Sequence, residues 1–416
     1  MANPAIDGSE FFRESRTDLR GPLDGTRVLE VTSTWAGPRC AGLLADYGAD
    51  VVKIELPDAP DVAHRLPPFL EGADPPLSFF DAAVNRNKRN IALDLKRPPG
   101  RDVFLELARG ADIVVENFRP GRLADWGCGY QHVRAVKPDI VYVSISGYGQ
   151  YGPYAQRAGY DPQAQAMSGL MWLNGVDDGP PMKTPIYLSD ELAGVHAALA
   201  ALAALKHRDV HGEGQQVDIS LIDATVASCT GQPTLAAHGL PTPRLGNRYP
   251  FGAPAGVYPC RDGWLYAGVL LDTHWVKLSA LLGRAELGTH PDYASLAGRI
   301  ARREELDQLL ADYCAVRTRD EVLSAMCNVG LAIEQVFTPA EMVRDPHIAA
   351  RQTIQTACQP SGAEIRTEAA PAKFSRTPVH VRRAAVPPGT DTEEVLAAAG
   401  FDAARLAELR QAGIIC

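Results

Sequence analysis

The chain has 416 residues, 46% of them hydrophobic and 22% charged, with a formal net charge of −9. That length exceeds one ordinary core, so two domains are the default expectation for a globular composition. The acidic balance excludes general nucleic-acid binding, which needs a basic face, but local basic clusters can still hold an anionic ligand.

Eight cysteines are scattered without any C-x-x-C pair, which points away from a zinc ribbon or a disulfide framework. No metal site is expected, and reduced thiols fit a cytoplasmic protein. The N-terminal stretch MANPAIDGSEFFRESRTDLR is polar and carries acids, unlike a signal or transit peptide. The most apolar run, residues 192–205, is short and Ala-rich, so it reads as a buried helix and no membrane partner is expected.

Taken in chain order, TRVLEVTS (26–33) predicts a strand, residues 39–48 a helix, and DVVKIEL (50–56) a second strand. Gly48 supplies a helix C-terminal signal between them. The βαβ pattern then recurs: strands at 90–95, 111–118 and 139–149, with helices at 100–109 and 130–136 between them. Such alternation predicts an α/β fold built on an open, mostly parallel, Rossmann-like sheet. A long Ala-rich helix follows at 189–207, then one more strand and helix in QQVDISLIDATVASC. Residues 241–263 are rich in Pro, Gly and Tyr and read as the entry to a smaller α+β domain. A hairpin strand is expected at 262–269, helices from 273 to about 326, and two final helices at 392–399 and 403–412.

Three constellations carry possible chemistry. Gly147, Gly149 and Gly152 form a G-x-G-x-x-G string after a strand, but Pro153 follows and no helix opens there, so a nicotinamide site is not expected. Tight turns beside a ligand are the simpler use of these glycines. NRNKRN (85–90) places Arg86, Lys88 and Arg89 before a strand, with Lys96 and Arg97 beyond it. Five cations in an acidic chain suit phosphate recognition, and a solvated charged face gives the same pattern. Asp190 opens the long helix. As a pattern it reads first as an N-cap, although Ser189 could cap instead and leave Asp190 as a carboxylate nucleophile.

Longer segments go further. LEVTSTWAGPRCAGLLADYGADVVKIE, VNRNKRNIALDLK, DIVVENFRPGRLADWG, SISGYGQYGPYAQRAGYDPQAQAMSGLM, RLGNRYPFGAPAGVYPCRDGW and AEMVRDPHIAAR occur in this order. Together they resemble the family III CoA-transferases, a group that includes formyl-CoA transferase, carnitine CoA-transferase and α-methylacyl-CoA racemase. The resemblance runs from about residue 24 to 415. It implies a large CoA-binding domain from both chain ends (1–225 and 336–416), a linker at 226–245 and a small domain at 246–335. It also implies an interlocked homodimer. Asp190 matches the family's catalytic aspartate, which implies CoA transfer from an acyl-CoA to a free carboxylic acid through aspartyl anhydride and aspartyl-CoA intermediates. Amides at the start of the Asp190 helix are then expected to stabilise developing negative charge.

By the same resemblance, Trp35 and Ala36 match a pantetheine-contacting loop, Leu93 to Lys96 the adenine and phosphate region, and Asn117, Phe118 and Arg119 a second CoA-contacting turn. Arg86 and Lys88 are expected phosphate partners. Trp35 stands where formyl-CoA transferase has glutamine, and Leu56 and Asp125 stand where it has arginines. Its glycine run in the small domain is missing too, which points away from formate and oxalate. The family's racemases use histidine before the aspartate that Asp161 matches. Tyr160 stands there, and a phenol of ordinary pKa near ~10 is a poor proton shuttle at neutral pH. Transfer is therefore expected over racemisation, the alternative, with Tyr160 and Asp161 contacting the substrate and a dicarboxylic acid such as succinate as donor or acceptor.

Overall fold

A computed structural model describes residues 6–416. The chain divides into two compact units, one comprising Met1–Leu170, Lys183–Ala237 and His347–Cys416, the other Met171–Met182 and His238–Pro346.

The first unit is built on six strands: β1 (Arg27–Val31), β2 (Asp50–Glu55), β3 (Arg89–Ala92), β4 (Ile113–Glu116), β5 (Val141–Ser146) and β6 (Gln215–Ser220). They lie in the order β3-β2-β1-β4-β5-β6, and every neighbouring pair is parallel. Because β1 is followed by β2 on one side and paired with β4 on the other, the order reverses between β1 and β4. Loops leaving the two strands there diverge and open a crevice at their C-terminal ends.

Both sheet faces are covered, as strands buried along nearly their whole length, such as RVLEV and IVVE, require. Val28, Ile113, Val115, Val141 and Val143 pack on one face beneath the helices Ala36–Asp46 and Leu188–His211. Leu29, Val31, Val114 and Tyr142 face the other way, against Phe104, Val133 and Leu396. The C-terminal helices Thr392–Ala398 and Ala403–Gln411 close this second face. Ile414 and Ile415 sit inside that core, and Asp94 N donates to Ile414 O at 2.8 Å.

Leu188–His211 is long and apolar enough by composition to cross a membrane. In this fold its Ala193, Ala197, Ala201 and Ala204 are sealed in the core instead. Small side chains let it approach Ala36–Asp46 closely. A Cβ on Gly194 would stand 2.8 Å from Arg39 Cβ and 2.9 Å from Ala36 O. A hairpin of β10 (Ile354–Cys358) and β11 (Glu364–Glu368) completes this unit and shares a small core with Leu77 and Ala82.

The second unit carries an antiparallel sheet of β7 (Ala255–Cys260), β8 (Gly263–Gly268) and β9 (Ile333–Gln335). Helices Asp272–Leu281, Arg303–Ala315 and Arg319–Asn328 contribute Trp275, Leu310 and Val322 to its core. Trp275 keeps its indole N–H satisfied by Leu287 O at 2.9 Å.

Candidate active site

A cavity of about 470 Å³ opens where β1, β4 and β5 end, at the point where strand order reverses. Ser33–Ala36 after β1, Asn117–Arg119 after β4, and Ser146–Gly147 at the end of β5 form its floor. Asp190, Tyr160, Asp161, Tyr187 and Phe80 reach it from flanking elements.

The loop after β1 is held in an unusual backbone shape. Thr34 sits at φ 64°, a left-handed conformation that a β-branched residue rarely adopts unless its surroundings impose it. Two carboxamide and carboxylate clamps impose it here. Asn117 accepts from Ser33 N at 2.9 Å and donates to Ser33 O at 2.8 Å. Asp61 accepts from Thr34 N with both oxygens at 3.0 Å. Lys53, 1% exposed, donates to Thr32 O at 3.0 Å and bridges Glu30 and Asp61, each at 3.3 Å. Behind it, His64 lies 2.8 Å from Asp81 and 2.9 Å from Glu55. Burial disfavours the His64 charge, but hydrogen bonds to Asp81 and Glu55 prevail and raise its pKa to about 10. Glu55 is correspondingly low, about 2, because His64 and Lys53 outweigh its burial.

Asp190 is the third residue of its helix, whose cap position is Tyr187. It is therefore not the N-cap that its pattern first suggests. Ser189 does not cap either, for its hydroxyl accepts from Thr225 Oγ1 at 2.9 Å. Asp161 does this work from outside the helix. Its Oδ1 accepts from Ser189 N at 2.7 Å and Asp190 N at 3.4 Å, and Gln165 Nε2 donates to its Oδ2 at 2.7 Å. Asp161 is 1% exposed and borders the cavity, and it anchors the start of this helix. Two of the helix amides expected to face developing charge point at Asp161 instead.

The Asp190 carboxylate lines the cavity and makes no hydrogen bond or ion pair among the described residues. Burial, then the charges of Asp161 and Glu191, push its pKa up to about 7. The result is a carboxylate poised near neutrality and free of internal partners.

Glu191, the next residue, fixes the opposite wall. It accepts from Arg39 Nε at 2.7 Å and from Trp35 Nε1 at 3.0 Å. Trp35 is thereby oriented against Phe80 and Tyr187, with ring centroids 5.5 and 5.6 Å away. Sequence reasoning finds Trp35 and misses Glu191, Arg39, Phe80 and Tyr187. Glu191 had one signal, its place beside Asp190. The others converge only in three dimensions. Tyr160 is 66% exposed at the rim.

Beyond Phe118 and Arg119 lies a second, shallower hollow of about 430 Å³, bordered by Lys96, Arg122 and Trp126. Glu116 holds this turn by accepting from Phe118 N at 2.9 Å. Trp126 packs edge-on against Phe118 at 5.3 Å, and the Arg122 guanidinium lies 6.0 Å from its ring. Cations beside an aromatic edge suit a phosphorylated nucleotide. Arg122 and Trp126 lie inside the segment DIVVENFRPGRLADWG, but nothing in their spacing assigns them to a ligand.

Three expected ligand contacts are corrected. Arg86 is 2% exposed and pairs with Asp46 at 2.6 Å. Lys88 is also 2% exposed, pairs with Glu30 at 2.7 Å and donates to Pro38 O at 2.8 Å. Leu93 is fully buried in the core. Charge in a loop before a strand does not reveal which way the side chains turn, and these two turn inward. Of the expected cations, Lys96 and Arg119 remain on the surface, Lys96 beside Asp58 at 3.0 Å.

Residues 23–392 match the family model for CoA-transferase family III. The chain is 36% identical to a succinyl-CoA–D-citramalate CoA-transferase of Chloroflexus aurantiacus, over 86% of this chain and 89% of that protein. It is 36% identical to a succinate–glutarate CoA-transferase of Agrobacterium fabrum, over 90% and 95%. The crystal structure of a CAIB/BAIF family protein from Brucella suis superposes with a TM-score of 0.83 at 32% identity, covering 91% of this chain and all of that one. A Rossmann-type sheet with a free carboxylate at its switch point, matched along nearly its whole length, places this chain in CoA-transferase family III, as an acyl-CoA:carboxylate CoA-transferase.

Proposed function

We propose that Asp190 is the covalent nucleophile of this transfer and that the two hollows hold the acyl-CoA. The carrying observation is the unpartnered Asp190 carboxylate, raised to about 7, in a cavity walled by aromatic rings. The pantetheine arm runs past Trp35, Ala36 and Asn117–Arg119. The nucleotide phosphates meet Lys96, Arg119 and Arg122, and the adenine lies near Trp126.

The Asp190 carboxylate attacks the thioester carbonyl, forming a mixed aspartyl anhydride and expelling CoA thiolate. The thiolate attacks the aspartyl carbonyl, which leaves an aspartyl-CoA thioester and frees the donor carboxylate. The acceptor carboxylate then attacks this thioester, giving a second anhydride and thiolate. Thiolate attack on the acceptor's acyl carbon releases the new acyl-CoA and restores Asp190. No net proton is consumed, and each intermediate retains the activation of the original thioester. Only the ionised carboxylate attacks, and partial removal from water leaves it less solvated than an exposed one.

Racemisation would need a general acid and base across the α-carbon. Tyr160 is the residue before Asp161, and its exposed phenol has no basic partner among the described residues. The curated relatives are named for dicarboxylic acids such as succinate, glutarate and citramalate, which supports an acid of that class here. The resemblance to the family also supports an interlocked homodimer, whose dimeric mass sedimentation equilibrium measures. The decisive experiment for the nucleophile is hydroxylamine trapping after incubation with acyl-CoA. Mass spectrometry should find the modification on Asp190, and Asp190→Ala should neither trap nor transfer. An active alanine variant would sink the proposal.

A further inference from the structure

One cation of the catalytic cavity has no work assigned to it. Arg157 borders the cavity that contains Asp190, whereas Arg119 borders both this cavity and the nucleotide hollow. Arg157 is exposed, and it makes no ion pair among the described residues. Its guanidinium stacks on Tyr154, 3.6 Å from the ring centre, which restrains the planar group without neutralising it.

A buried group without a partner lies at the root of the same loop. Ser146 ends β5, is 8% exposed, lines the cavity, and its buried hydroxyl has no hydrogen-bond partner among the described residues. The loop from 147 to 159 returns to its starting point. A Cβ on Gly147 would come 3.0 Å from Gly159 Cα, so the two backbones touch. That contact brings Arg157, two residues before Gly159, back towards Ser146, the residue before Gly147.

The charge balance gives this pair a purpose. Asp190 stands beside Asp161 and Glu191, all acidic. An acyl group that brings a second carboxylate into this cavity meets repulsion unless a cation receives it. A guanidinium receives a carboxylate through two parallel hydrogen bonds, and a buried hydroxyl left without a partner can donate a third.

We infer that Arg157, assisted by Ser146, forms the subsite for the distal carboxylate of a dicarboxylic acyl group, and so selects dicarboxylic over monocarboxylic acids. This rests on Asp190-dependent transfer and adds the residue that sets its specificity. Arg157 touches the end of the substrate that does not react, so its loss raises KM and leaves kcat largely intact.

The test compares succinate with butyrate as acceptors, and succinyl-CoA with butyryl-CoA as donors, in wild type, Arg157→Gln, Arg157→Lys and Ser146→Ala. Wild type is expected to favour the dicarboxylic member of each pair. Arg157→Gln should raise KM for the succinyl compounds on the order of tenfold to a hundredfold and leave the butyryl compounds within about twofold. Arg157→Lys should recover part of the loss, because it restores charge without the bidentate fork. Ser146→Ala should raise the succinyl KM by a smaller factor. An unchanged succinate-to-butyrate ratio in Arg157→Gln overturns the inference, as does an equal rise for both acyl-CoAs, which would mark Arg157 as a CoA contact. Failure of the nucleophile proposal looks different: Asp190→Ala would then stay active whatever the acid.

Discussion

At the scale of single residues, the proposed chemistry turns on how Asp190 is surrounded. Its helix start would ordinarily stabilise a carboxylate, yet Asp161 has taken the amides of Ser189 and Asp190. Burial and two acidic neighbours then raise Asp190 to about 7. With Asp190 as the proposed nucleophile, the ionised form is the reactive one, so kcat/KM should rise with pH and reach half its plateau near pH 7, as pre-steady-state or initial-rate profiles can show. Asp161→Asn removes one negative neighbour while keeping an oxygen for the amides. It should move that midpoint down by about half a pH unit to one unit; a midpoint that moves up or stays put contradicts the assignment. The same shift has a consequence for stability. A carboxyl group that holds its proton more tightly in the fold than in the unfolded chain loses stability as pH rises from 3.8 through about 7. At pH 8, Asp190→Asn should therefore abolish transfer and raise the melting temperature by about 1–3 °C, readable by calorimetry.

At the scale of elements, the site depends on two close approaches. The loop after β1 keeps its left-handed Thr34 because Asp61, held by Lys53, grips Thr34 N. Asp61→Ala should cost about 3–5 kcal/mol of stability, since it leaves Lys53 short of a partner inside the protein. It should also lower kcat/KM by freeing the Trp35 loop, and Asp61→Asn should retain part of both. The helices Ala36–Asp46 and Leu188–His211 meet at Gly194, one turn beyond Asp190. Gly194→Val has no room and should cost about 1–3 kcal/mol. It should also reduce kcat more than KM, because it moves the helix that carries the proposed nucleophile. Denaturant unfolding together with steady-state kinetics separates the two effects.

At the scale of the whole molecule, the chain returns to its first unit at the end. Ile414 is fully buried and Ile415 is 2% exposed, both within the core that backs β3 and β4. Deleting residues 413–416 removes two such side chains and the acceptor for Asp94 N. It should lower stability by about 3–6 kcal/mol, taking burial at 1.5–3 kcal/mol per side chain, and thermal unfolding at matched pH tests this. A core assembled from residues about 300 positions apart, as in the Ala92–Thr392 hydrogen bond, has high contact order and should fold slowly.

Strand runs of Val and Ile, glycine stops and Ala-rich spacing mark the parallel sheet and the long helix in the sequence, because both are dictated by local periodicity and by burial on two faces. The ordered motifs likewise single out Asp190, Trp35 and the turn at Asn117–Arg119. The sequence does not reveal direction. Arg86 and Lys88 carry charge that the fold turns inward to Asp46 and Glu30, while Arg122 and Arg157, which nothing within their segments singles out, stand at the cavities. Nor could spacing show that Asp161 caps a helix 28 residues later. A side chain's partner is set by the packing of distant elements, and at the switch point between β1 and β4 that packing alone decides which carboxylate is anchored and which is left without a partner.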